Sequence, residues 1–167
     1  TVTGRVELYS YVLEAYDEKP VPYFEEPDYS PVSQPPEVVE KYPLVYTTGG
    51  RHISAFHSEH RQVPSLRALH PDPLVTINPA TAEKYGIREG DWVRVETMFG
   101  KCTQKAHLTY EVNEKTVHVE HAWWFPEQDG EAPNLFGVFD ANANNLIPHE
   151  SVGITGYGAP YKNGICS

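Results

Sequence analysis

Cysteine is almost missing from this chain of 167 residues: only Cys102 and Cys166 occur. Two cysteines make no disulfide framework, and without a CxxC pair they do not suggest a zinc or iron–sulfur site. Basic residues are also scarce, 13 Lys and Arg against 23 Asp and Glu, for a formal net charge of −10. That balance argues against a nucleic-acid partner, because binding a phosphate backbone normally takes a basic face. Any phosphate bound here must be held locally. Long apolar runs are lacking as well, and none approaches the roughly 18 to 20 residues of a membrane span, so no membrane insertion is expected. Residues 1 to 20 lack the charged-then-apolar layout of a signal peptide. The chain opens on Thr1 and closes on "NGICS", which reads as a mature form or a piece of something longer.

What is present favours strands and loops. Fifteen prolines, twelve glycines and eleven tyrosines, with many valines, point to a mainly β fold with short elements. The length suits one domain with an appended arm and is enough to close a core by burial. Composition separates residues 1–40 from residues 41–167. "GRVELYSYVLEAY" could form a short strand or helix, but "DEKPVPYFEEPDYSPVSQPPE" is acidic, proline-rich and dotted with tyrosines. Proline removes backbone donors and favours extended backbone, so this reads as an extended arm or linker without its own core. Tyr16, Tyr23 and Tyr29 suggest that it packs against something.

From Pro43 the pattern changes. "PLVYTT" reads as a buried strand feeding a turn at Gly49-Gly50. "RHISAFHSEHR" has no clean period and is expected to be loop with one or two helical turns. In "INPATAEKYG", Asn78 suits an N-cap, Pro79 the first turn and Gly86 a left-handed stop, giving a helix of about two turns. "DWVRVETMFGKCTQKAHLTY" reads as two strands around Phe99-Gly100, with Val93, Val95 and Thr97 on one face, and "KTVHVEHAW" as a further strand. The tail from Trp123 is irregular and carries "FDANANNLIPHE" and "TGYGAPYKNG"; long loops in compact domains are more often functional than idle.

Three chemistries compete for residues 47 to 61. His52, His57, His60 and His70 invite a metal, but an H-x-x-H pair without a helical pattern, and with no acid nearby except Glu59, argues against zinc. Ser58 beside His57 makes no nucleophile pair, since neighbours in sequence seldom bring hydroxyl and imidazole together and no G-x-S-x-G elbow is present. An anion cradle fits better. Thr47, Thr48, Gly49 and Gly50 end a strand, where glycines let successive N–H groups turn toward a phosphate and Arg51 adds a bidentate fork. A plain tight turn with a surface arginine explains the same residues. Asn142, Asn144 and Asn145 could meet the edge of a purine or pterin, or simply serve turns. Trp123 and Trp124 suit core or interface packing better than stacking on a ligand.

Taken in order, "YPLVYTTGGR", "FHSEHRQVPSLR", "PDPLVTINPATAEKYGIREGDWVRVET", "HAWWFPE", "ANANNLIP" and "GAPYKNGIC" resemble the C-terminal cofactor-binding domain of the molybdenum or tungsten bis(molybdopterin guanine dinucleotide) oxidoreductases, the group of DMSO reductase and formate dehydrogenase. The resemblance covers residues 41–167, and "WWFPE" leans toward the acetylene-hydratase-like branch. It implies a six-stranded double-psi β-barrel with short helices, following an extended N-terminal arm from the preceding domain. It also implies cofactor contacts from Thr48, Gly49, Gly50, Arg51, His57, Ser58 and Asn145, and from Tyr161 and Lys162 in the closing segment. The doubled glycine, where the simple pattern has one, leaves the register of the arginine contact open.

The expected function is therefore to hold the pterin guanine dinucleotide (bis-MGD) jointly with upstream domains of the same polypeptide. The molybdenum or tungsten ion would perform the redox or hydration step. No residue of this chain is expected to be catalytic or to ligate metal, and the isolated domain should be inactive. An iron–sulfur electron-transfer subunit is a further expected partner, and the compartment, cytoplasm or periplasm, stays open. The rival reading is a stand-alone double-psi barrel that binds or assembles through its acidic, tyrosine-rich arm.

Overall fold

In the computed structural model, residue 1 and residues 3–148 and 164–167 are described. The arm holds one short helix, α1 (Tyr11–Glu14), with no buried residue, and α2 (Pro36–Lys41) leads into the barrel. Val6, Leu8, Tyr11, Phe24 and Val32 are largely exposed. Of the three arm tyrosines, Tyr16 and Tyr23 are exposed, while Tyr29 packs edge-on against Phe99, with ring centroids 4.7 Å apart.

Among the described residues six strands follow: β1 (Leu44–Thr48), β2 (Leu74–Ile77), β3 (Trp92–Glu96), β4 (Lys101–Leu108), β5 (Thr116–Val119) and β6 (Gly164–Cys166). Their order in the sheet is β3-β4-β2-β5-β1-β6. The pairs β1/β5 and β2/β4 are parallel; β1/β6, β2/β5 and β3/β4 are antiparallel. The sheet curls until its edges meet, where Glu96 and Ser167 exchange both backbone hydrogen bonds at 2.9 Å. The fold is thus mainly β and six-stranded, with few short helices, as the resemblance implies.

Alternation sets which side chains enter. Cys102, Gln104 and Ala106 of β4 point inward, as do Val117 and Val119 of β5 and Val75 and Ile77 of β2. All of these except Gln104 join Tyr46, Val95 and Leu146 in one core. Both thiols are free and buried, and burial pushes each up to about 12. Helix α4 (Pro79–Tyr85) forms as its sequence demands: the Asn78 side chain accepts from the Ala80 N–H, Pro79 opens the first turn, and Gly86 stops it at φ 69°.

The expected helical turn within residues 51–61 is a correction. The chain there makes turns and a single bridge between Phe56 and Glu59, and α3 (Pro64–Arg67) starts only afterwards. His57 and His60 adopt positive φ, 52° and 75°, which breaks a right-handed helix at two points. Among the described residues no helix is long and apolar enough to cross a membrane.

Candidate functional site

Strand direction gathers the site. Strands β1, β3 and β5 finish, and β2, β4 and β6 begin, at the same end of the barrel. The twin-glycine segment leaves that end from β1. Gly49 lies at φ 98°, backbone that side chains rarely adopt, and a Cβ on Gly50 would sit 2.7 Å from His118 Nε2. Gly49 is therefore required by the local path, whereas a side chain at Gly50 would have to displace the His118 ring. His118 is held from behind by a hydrogen bond between its Nδ1 and Thr47 Oγ1, 3.1 Å.

Beyond the glycines, Arg51 is exposed and its guanidinium lies over the Phe56 ring, 5.6 Å from the centroid. His57 Nδ1 and His121 Nε2 share a hydrogen bond at 3.1 Å. Ser58 keeps its hydroxyl on the surface and uses its carbonyl to accept from Trp124 Nε1 at 2.6 Å. Asn145 belongs to the same end: its carbonyl oxygen packs so closely on Gly100, in the β3–β4 turn, that a Cβ there would collide with it. Its amide nitrogen donates to the carbonyls of Val138 and Phe139, at 3.1 and 3.0 Å, both in α5 (Val138–Ala141). Arg51, His57, Ser58 and Asn145 thus lie at the same end of the barrel, where Thr48 closes β1. Tyr161 and Lys162 lie outside the described residues.

Beneath this mouth of the barrel lies a group centred on Glu120, which the sequence reading passed over together with Arg61 and Gln104, although it had weighed His52 and His70 as metal ligands. Glu120, 1% exposed, follows β5. Its Oε1 accepts from Arg61 Nη2 at 3.2 Å, and its Oε2 accepts from His70 Nε2 at 2.7 Å and from the Leu74 N–H at 3.0 Å. His52 Nε2 stands 3.4 Å from Oε1. One signal was available: Gln104 occupies an inward position of β4, and an inward polar group needs buried partners. It donates to the carbonyls of Glu120 and Ala141 and accepts from the Glu120 N–H.

Burial, ahead of neighbouring charges, lowers the pKa of His52, His118 and His121 below the usual 6.5, so the neutral imidazole prevails at pH 7. His52, His70 and Glu120 place three ligand atoms within 4.8 Å of one another, spacing a cation could use. However, the two rings stack at 4.1 Å with planes only 26° apart, so their nitrogen lone pairs run side by side, and Arg61 and Leu74 already occupy the carboxylate. The arrangement suits hydrogen bonding better than metal ligation.

Residues 44–163 match the family described as the molydopterin dinucleotide binding domain. The chain belongs to that family. Among relatives of this molydopterin dinucleotide binding domain, dopamine dehydroxylase of Eggerthella lenta is 44% identical over 153 residues, covering 89% of this chain and 15% of that protein. Acetylene hydratase of Syntrophotalea acetylenica is 38% identical over 130 residues, with 78% and 18% covered. A solved acetylene hydratase from Pelobacter acetylenicus shares the fold at a TM-score of 0.85 and 32% identity, across all of this chain and 23% of that one. The domain therefore spans 15 to 23% of the length of these relatives.

Proposed function

We propose that this domain is the C-terminal cofactor-binding part of a molybdenum or tungsten oxidoreductase, where it holds the guanine dinucleotide of bis-MGD against upstream domains. The observation that carries this reading is the convergence, at one barrel end, of the twin-glycine backbone, Arg51, His57, Ser58 and Asn145. The donor set fits an anionic, ring-bearing ligand. Buried beneath the rim, Thr48 Oγ1 and His121 Nδ1 have no hydrogen-bond partner among the described residues, and buried polar atoms are normally satisfied. An acidic protein can hold a phosphate this way, because local N–H groups and one guanidinium outweigh net charge at short range.

Bound there, the cofactor's metal would supply the redox or hydration chemistry. The chain's own residues would bind and orient. Arg51 and the amides of Gly49 and Gly50 would face phosphate. With its Nδ1 engaged by His121, His57 would offer Nε2, and Asn145, its amide nitrogen engaged by α5, would offer its Oδ1. Ser58 would add a hydroxyl, and Tyr161 and Lys162 would close the site. Upstream domains would provide the metal's protein ligand, with an iron–sulfur subunit as electron partner. The exposed apolar side chains of the arm suit burial against a neighbouring domain. Replacing Arg51 by alanine in the full-length enzyme should weaken cofactor retention by about 1.5–3 kcal/mol, the range of a charge-assisted hydrogen bond. Unchanged pterin and metal content in that variant would remove Arg51 from the site.

A further inference from the structure

The mouth is tied together by a carboxylate that the binding role leaves unused. Glu120 reaches three segments directly: the loop after β1 through Arg61 and His52, the turn before β2 through His70, and β2 itself through the Leu74 N–H. Arg61, only 4% exposed, carries the link further. Its Nη1 donates to the His57 carbonyl at 2.8 Å, and its Nη2 also lies 3.4 Å from the His121 carbonyl. On the opposite side Gln104 clasps the Glu120 backbone at 2.8 and 3.0 Å and donates to the Ala141 carbonyl at 2.9 Å. One buried group therefore connects His52, next to Arg51, and His57, next to Ser58, with the segment that ends in Asn145.

Simple stabilisation does not account for this arrangement. Burying a guanidinium and a carboxylate costs desolvation that their attraction roughly offsets, so apolar residues of equal volume would hold a barrel as well. What the pair adds is fixed distance and direction between elements that share no strand pairing. We propose that Glu120 is a positioning residue: with Arg61 and Gln104 it locks residues 50–61 and residues 141–145 onto the end of β5, so that Arg51, His57 and Asn145 face one ligand in fixed register. This rests on the cofactor reading above, since it assigns no contact between Glu120 and ligand.

The test uses the full-length enzyme with three replacements: Glu120→Gln, the double change Arg61→Gln with Glu120→Gln, and Arg51→Ala as reference. Three quantities are read: pterin retained after purification, thermal midpoint, and hydrogen–deuterium exchange of peptides across residues 50–61. Glu120→Gln is expected to lower pterin retention on the order of tenfold, the scale of one charge-assisted contact. Exchange should rise in residues 50–61 while β2, β4 and β5 stay protected. The double variant, with no unpaired buried charge, should regain the thermal midpoint but not the pterin.

Retention that recovers together with the midpoint would overturn the proposal, because charge balance alone would then explain Glu120. So would unchanged retention and exchange in Glu120→Gln. If the single variant does not accumulate, the double variant decides, and full retention there refutes positioning. If Arg51→Ala and Glu120→Gln both leave retention unchanged, the cofactor reading of this mouth fails instead, and loop exchange, which needs no cofactor, still settles whether Glu120 fixes the loop.

Discussion

At the end of the barrel where β1, β3 and β5 finish, the interior is closed by Glu120, Arg61, Gln104 and a ring of imidazoles. At the other end α4 lies over an apolar interior with a cavity of about 110 Å³, walled by Leu44, Val75, Ile77, Val93 and Val117. The same six strands serve both. The apolar end gains its free energy from removing surface from water. The polar end gains little net energy and instead fixes the directions of donors and acceptors, which a binding site needs and a core does not.

Substitutions at the two ends should separate these roles. The largest effect is expected from Arg61→Ala, which leaves Glu120 buried and uncompensated: a loss of about 3–5 kcal/mol of stability, accompanied by lower pterin content per folded molecule. Ile77→Ala at the apolar end should cost about 2–5 kcal/mol, read as a shifted denaturation midpoint, yet leave pterin content per folded molecule unchanged. If pterin falls in parallel, the two ends are not independent. Asn78→Ala removes the cap of α4 and should cost about 1 kcal/mol by the same measurement, again without effect on the mouth.

The smallest effect should come from pH, and it belongs to the mouth alone. His52, His118 and His121 have folded-state pKa values below 6.5, so the unfolded chain binds more protons as acidity rises. Stability should fall as pH drops through the ordinary imidazole range and level off once pH passes below the folded values. A thermal midpoint that rises on acidification from pH 7 to 6 would contradict the burial of these rings. Replacing all three histidines by glutamine should flatten the profile.

Local signals were legible in the sequence. The cap, first-turn proline and stop glycine of α4, the β3–β4 hairpin and the alternation of β5 all lie within a few residues of one another and need no tertiary knowledge. Strands β2 and β6, with four and three residues, drew no strand reading from the sequence and exist through pairing with the distant β4, β5 and β1. The Glu120 network was hidden for a related reason, since Arg61 lies 59 positions from its carboxylate. The asparagine cluster read both ways: Asn142 caps the turn at Asn144, while Asn145 stands at the mouth with its amide nitrogen already engaged.

The two thiols acquire a use from where they lie. Cys166 sits one residue from the seam that Ser167 makes with Glu96, whereas Cys102 lies within β4, flanked on both sides by paired strands. Held as protonated sulfhydryls away from solvent, both should resist alkylation in the native protein. An alkylating reagent should therefore reach the two thiols only when the seam between β3 and β6 opens, so their labelling would report opening of the barrel at its closing edge.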